Sequence, residues 1–194
     1  MSPDGSFGFS IQPRVVVYTL GRLELVIDGK PLRFKGRAPL RALELLSALI
    51  AAGGRGASVG GISDQLWPDA DGFDAYRAFT TTLHRLRRLL GYHDAVRLSA
   101  GQLMLDPQIC HVDVWGFERA LRAARDERSL EAALDLYRGP FLGDDPNPWA
   151  IAMRERLEKL IAQKKSARDM PRDSGAGNRG HGWFTSNLRL VASS

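Results

Sequence analysis

Residues 77–90, RAFTTTLHRLRRLL, carry the side chains best suited to chemistry with a polyanion. Phe79, Leu83, Leu86 and Leu90 recur at steps of four, three and four, the apolar stripe of an α-helix. Arg77, Thr81, His84, Arg85 and Arg88 fall on the other side. At about 100° per residue, Arg77, Thr81, His84 and Arg88 lie within roughly 40° of the direction opposite Phe79. No acid falls on that outer face. Hydroxyls, an imidazole and guanidinium forks are groups that reach base edges and phosphates in a major groove. Taken alone, the same pattern also fits a solvated basic face of an ordinary packed helix, so the flanking elements must decide.

The 194 residues allow one domain or two small ones. Hydrophobic content of 44% and charged content of 25% are those of a soluble globular protein. No apolar run approaches the roughly 20 residues needed to span a bilayer, and no membrane partner is expected. The first residues, MSPDGSFGFSIQPR, have neither a positive n-region nor an apolar h-region, so no signal peptide is read. One cysteine, Cys110, cannot form an internal disulfide, which fits a reducing cytoplasm. The net charge of +5 is uneven. Residues 14–91 hold 12 Lys/Arg against 7 Asp/Glu, whereas residues 92–165 hold 11 against 12. The basic half is the one that carries the two-faced helix, the sign expected for a domain that binds a polyanion.

The elements around that helix follow from punctuation and period. Residues 1–13, rich in Gly, Ser and Pro, read as a disordered leader. VVVYTLG and RLELVIDG read as strands, with Asp28-Gly29 as a hairpin turn and KPLRF as a third short strand. Leu40, Leu43, Leu46, Leu49 and Ile50 make a buried helix behind Pro39, stopped at Gly53-Gly54. Ser58 can cap a second helix with Ile62, Leu66 and Trp67 on its apolar face. After the acidic loop 69–74 comes the basic helix, 73–90, ended by Gly91. Residues 95–106, AVRLSAGQLMLD, alternate about Ala100-Gly101 and form a hairpin. The order of small sheet, helix, helix, basic helix and hairpin is an α+β winged helix-turn-helix over residues 14–107, with residues 95–106 as the wing. Residues 107–113 read as a short link. An incomplete all-α unit over residues 108–165 follows, resembling paired-helix repeats of the tetratricopeptide kind. Its three expected helices run through Trp115 to Ala124, Leu130 to Tyr137, and Trp149 to Ile161. Residues 166–194 cluster glycine, lack periodicity and read as a disordered tail.

Several strings recur together in one known family: LGRLELVIDGKPL (20–32), LLSALIAAGGR (45–55), DQLWPDAD (64–71), LHRLRRLLG (83–91), VDVWGFERAL (112–121), ALDLYRGPFLGDD (133–145) and WAIAMRERLEKL (149–160). Over residues 15–163 the chain resembles bacterial transcriptional regulators that join a response-regulator-type winged helix to a bacterial transcriptional activator domain. That class includes antibiotic-pathway activators and large multidomain signal-transduction ATPases. The resemblance implies sequence-specific binding of double-stranded DNA, with the helical half serving oligomerisation or contact with other proteins. It implies that Thr80, Thr81 and His84 read bases, while Arg77, Arg85 and Arg88 touch phosphates. The acidic loop 69–74 then occupies the place where such proteins can meet RNA polymerase. A homodimer on repeated half-sites is the expected binding form. Two departures stand out. The helical pattern is lost near Gln163, where domains of this type continue, so a truncated activator domain is expected, the tail being either a linker or an out-of-frame end. No Walker glycine-rich loop is present, so no nucleotide cofactor is expected of these residues.

The remaining constellations weigh less. Arg97, Ser99 and Gln102 on the wing are expected to reach the DNA backbone or minor groove. Arg87 lies toward the flank of its helix and is expected to pair with an acid. Trp67 and Trp115 sit on apolar helix faces and are expected in the core. Cys110, His111 and Asp113 lack zinc-type spacing, so no metal is expected. No cluster of titratable groups suggests an enzyme. The rival reading is a helical protein-interaction module, or a fragment of a larger signal-transduction regulator, with vestigial DNA binding.

Overall fold

The computed structural model describes residues 13–54 and 56–169. The expected leader, Pro13 apart, and the tail from residue 170 lie outside the described residues.

Strands β1 (Val15–Tyr18), β2 (Glu24–Ile27) and β3 (Lys30–Pro31) form the expected antiparallel meander. Its hairpin turn holds Asp28 and Gly29 at φ of 48° and 75°, the left-handed pair that a tight two-residue turn requires. Helix α1 (Leu40–Ala52) starts just behind Pro39, whose carbonyl accepts from the N–H groups of Ala42 and Leu43. A two-residue strand β4 (Ala57–Ser58) precedes helix α2 (Val59–Leu66), capped as expected by Ser58 Oγ accepting from Gly61 N at 3.1 Å. Helix α3 (Gly72–Leu90) follows. Asp71 of the acidic loop is its N-cap, accepting from Phe73 N and Asp74 N at 3.1 and 2.9 Å, while Gly91 closes the far end at φ 74°. The wing is the hairpin β5 (Val96–Ser99) and β6 (Gln102–Leu105), turning on Ala100 and Gly101 at φ 49° and 71°. Strand β4 pairs with β6, so the wing sheet has three strands, one more than expected.

The stretch expected as a link is not one. Residues 110–112 form strand β7 (Cys110–Val112), parallel to β1 with Val15 opposite Cys110 and Val17 opposite Val112. The first sheet therefore runs β3-β2-β1-β7. A parallel pair needs a long crossover, and here almost the whole winged helix supplies it.

Three helices follow: α4 (Asp113–Ala123), α5 (Glu127–Leu134) and α6 (Pro148–Asp169). Two expectations are corrected. Helix α5 stops at Leu134, short of Tyr137, whose ring instead packs on Phe117 at 5.3 Å between centroids. Helix α6 runs through residues 166–169, so the disordered tail does not begin at 166. One hydrophobic core extends from Val15 and Leu45 through Phe79 and Leu86 to Phe117, Phe141 and Leu157. No helix among the described residues is long and apolar enough to cross a membrane.

The two halves are joined by polar contacts as well. Asp113 Oδ1 accepts from Thr19 N at 2.8 Å and Thr19 Oγ1 at 2.7 Å, and Oδ2 accepts from Leu20 N at 3.0 Å. Trp115 was expected in the core; it is only partly buried, and its Nε1 donates to the Ile50 carbonyl at 3.0 Å, near the end of α1. Arg156 reaches the adjacent Ala51 carbonyl at 3.3 Å while donating through Nε to buried Glu118 at 3.0 Å. Trp67 is likewise only partly buried. The loop after α5 closes on the first sheet, where Leu142 N donates to the Thr19 carbonyl at 2.7 Å. Glycine is needed there: a Cβ on Gly143 would stand 2.8 Å from the Gly21 carbonyl oxygen.

Two predictions follow from these contacts. Asp113→Ala strands the fully buried Thr19 donors and the Leu20 N–H, and should lower unfolding stability by about 3 kcal/mol in urea titrations, with Asp113→Asn losing less. Burial pushes the Cys110 thiol up to about 12, with the Asp106 carboxylate adding to the effect. Thiolate is the reactive form, so native protein should resist a thiol-disulfide reagent at pH 8, whereas denatured protein should react with one equivalent.

Candidate nucleic-acid interface

Helix α3 displays the face that the sequence implies. Phe79, Leu83, Leu86 and Leu90 are buried, and Arg77, Thr80, Thr81, His84, Arg85 and Arg88 are exposed. Thr81, His84, Arg85 and Arg88 make no side-chain hydrogen bond or ion pair among the described residues, so their polar groups face outward unspent. Two others are engaged. Arg77 lies 5.7 Å over the Phe73 ring, a cation–π contact that leaves its fork exposed. Thr80 Oγ1 donates to the Tyr76 carbonyl at 2.9 Å, so Thr80 offers a ligand an acceptor and a methyl group but not its proton.

Arg87 corrects the expectation of an acidic partner. Its Nε and Nη2 donate to the Val96 carbonyl at 3.0 and 2.8 Å, tying α3 to the first residue of the wing. The fork therefore fixes the wing beside the helix. On the wing, Ser99 and Gln102 are exposed and opposite one another, beside the turn. Arg97 is exposed but paired with Asp106, which is buried at the base of the hairpin.

Three exposed residues escaped the sequence reading. Arg41, on α1, joins Trp67, Arg77, Thr81 and Arg85, with the acid Asp74, along a groove of about 330 Å³ between α3 and the helices behind it. It is positioned by Glu44 at 2.9 Å and by the Leu66 carbonyl at 3.4 Å. Its signal was the acid-free basic series Lys30, Arg33, Lys35, Arg37 and Arg41. Phe73 and Tyr76, 70% and 57% exposed, stand on the first turns of α3. Cys110 points inward and His111 outward, as alternate residues on a strand must, and Asp113 is held by Thr19 and Leu20.

A two-helix unit whose second helix is basic, amphipathic and flanked by a β-hairpin defines a winged helix-turn-helix, here packed against a helical domain. Residues 112–168 match the family model of the bacterial transcriptional activator domain. Regulatory protein AfsR of Streptomyces coelicolor is 32% identical over 167 residues, covering 80% of this chain and 16% of that protein. AfsR of Streptomyces griseus is 31% identical over 150 residues, covering 72% and 15%. The chain thus spans about one sixth of the length of these relatives. The fold is also similar to that of Mycobacterium tuberculosis EmbR, solved in complex with a low-affinity phosphopeptide, with a TM-score of 0.59 and 23% identity over 81% of this chain and 45% of that one. The chain is thus similar, over most of its own length, to part of proteins of the AfsR kind, and its residues 112–168 match the bacterial transcriptional activator domain.

Neighbouring arginines should behave oppositely. Arg87→Ala removes two charge-assisted bonds to the wing and should cost about 1–2 kcal/mol of stability, reduced by its partial exposure. Arg88→Ala should change stability by less than about 0.5 kcal/mol. Thermal melts of the two variants at equal concentration make the comparison.

Proposed function

We propose that the chain is a sequence-specific DNA-binding regulator of transcription, with α3 in the major groove and the wing alongside it. The observation that carries this reading is the outward face of α3, where the exposed Thr81, His84, Arg85 and Arg88 have no side-chain partner among the described residues and Asp74, in the first turn, is the one acid. Arg85 and Arg88, with Arg41 and Arg77 at the adjoining groove, supply phosphate contacts and hence affinity. Thr81 and His84, at the centre of the face, read base edges and supply specificity. Residues 14–107 are the DNA-binding part in this reading, and residues 108–165 serve contacts with other proteins. The protein acts in the cytoplasm as a dimer on repeated half-sites. The acidic loop remains a surface for RNA polymerase, with Asp69 and Asp74 its free charges, because Asp71 is committed to the α3 cap.

Duplex binding measured at several salt concentrations tests this. Each of Arg85→Ala and Arg88→Ala should weaken binding to all sequences alike and reduce the salt slope by about one. An unchanged slope in both variants removes the phosphate role. Thr81→Ala and His84→Ala should relax preference at one or two base pairs, by about 1–3 kcal/mol each, in sites selected from random duplexes. If the chain binds no duplex even at low salt, the helical half is its working part.

A further inference from the structure

The aromatic pair Phe73 and Tyr76 is not explained by the polar interface. Both lie near the start of α3, 70% and 57% exposed; Tyr76 stands at the edge of the buried stripe and Phe73 lies off it. At about 100° per residue, Phe73 stands within roughly 20° of both Thr80 and His84. It is therefore in line with residues of the proposed base-reading face, not on a separate surface. Arg77, whose guanidinium lies 5.7 Å over the Phe73 ring, joins the aromatic group to the basic face. The Tyr76 ring is braced against buried Phe79, with centroids 6.4 Å apart. Thr80 adds to the same character, since its hydroxyl proton is spent on the Tyr76 carbonyl.

We propose that Phe73 and Tyr76 form an apolar reading strip on the recognition helix that selects thymine through its C5-methyl group. The occupant follows from the chemistry of the groove. Among the groups that base pairs present in the major groove, the thymine methyl is the apolar one, and phenylalanine is a side chain suited to contact it. A surface aromatic that meets only water gains nothing, whereas one that covers a methyl group removes apolar area from solvent on both sides. The Arg77 fork stacked on Phe73 remains free at its edge to take a phosphate, so one pair of residues joins backbone contact to base discrimination.

This inference rests on the DNA-binding reading, and the test separates the two. The intact chain first selects its preferred site from random duplexes. Each thymine of that site is then replaced singly by deoxyuridine, which deletes the methyl group alone, and affinities are measured for the wild-type chain, Phe73→Ala, Phe73→Leu and Tyr76→Ala. At one or two positions deoxyuridine should weaken the wild-type chain about fourfold, the equivalent of about 0.8 kcal/mol for one buried methyl group. At those positions it should have no further effect on Phe73→Ala or on Tyr76→Ala, while Phe73→Leu, still apolar, should keep part of the response. The exposed positions make unfolding an easily checked alternative, and equal melting temperatures confirm that the variants are folded. Wild-type indifference to every deoxyuridine overturns the proposal. So does a selected site with no preferred thymine, or a response that persists unchanged in both alanine variants, which is the outcome expected if the aromatic pair docks a protein. Binding that is lost for all duplexes overturns the DNA-binding reading itself.

Discussion

One carboxylate fixes where the two halves of the molecule meet. Asp113 opens α4, and its oxygens collect the hydroxyl and N–H of Thr19 and the N–H of Leu20 at the end of β1. A carboxylate that satisfies several buried donors is worth more than a surface ion pair, because each donor would otherwise be stranded away from water. The contact also sets direction. It holds β7 parallel beside β1, so that α4 leaves the sheet at the point where Trp115 and Arg156 can reach the last carbonyls of α1. The Ile50 carbonyl also accepts from the cap residue Gly53 at 3.0 Å, and a cation there meets the negative end of the helix dipole. The helical half is therefore bound to the winged-helix half through the backbone of both the first sheet and the first helix.

Helix α1 carries this attachment toward the surface. It packs against α3, and the buried row Leu45, Leu46, Leu49 and Ile50 belongs to the same core as Phe79, Leu83 and Leu86. Helix α3 is thus seated on an element whose far end is held by the helical half. Arg87 completes the seating from the other side by fixing the wing to α3. Interiors packed at crystal-like density transmit displacement rather than absorb it, and the continuous core leaves no soft layer between the two halves.

The sequence made legible whatever depends on local period and punctuation. The stripe of α3, the Ser58 cap, the Asp28-Gly29 turn and the wing turn at Ala100-Gly101 are all encoded within a few residues of where they act. Strand β7 was not legible, because three residues carry no period and their partner lies about 95 positions earlier in the chain. The two residues of β4 fail for the same reason. Helix α5 ends early because the backbone tightens after Leu134, with Leu136 N and Tyr137 N donating three residues back to Ala133 and Leu134 ahead of Gly139-Pro140. Sequence shows side chains and so points Arg87 toward an acid, whereas its acceptor is a backbone carbonyl. Tyr76 fits the apolar period, three residues before Phe79, and Phe73 lies off it, so period alone does not show that both are exposed.

The division of labour on α3 is sharpest where the sequence is least distinctive. Arg85, Arg87 and Arg88 are chemically identical, yet only Arg87 has a partner among the described residues. A guanidinium that binds a carbonyl is part of the architecture. One that stands in water without a partner contributes little to stability, so the fold alone gives no reason for its charge. The same argument applies with greater force to Phe73, since exposing a large aromatic surface is unfavourable in water. What the fold does not require of these residues has to be accounted for by what the helix meets outside it.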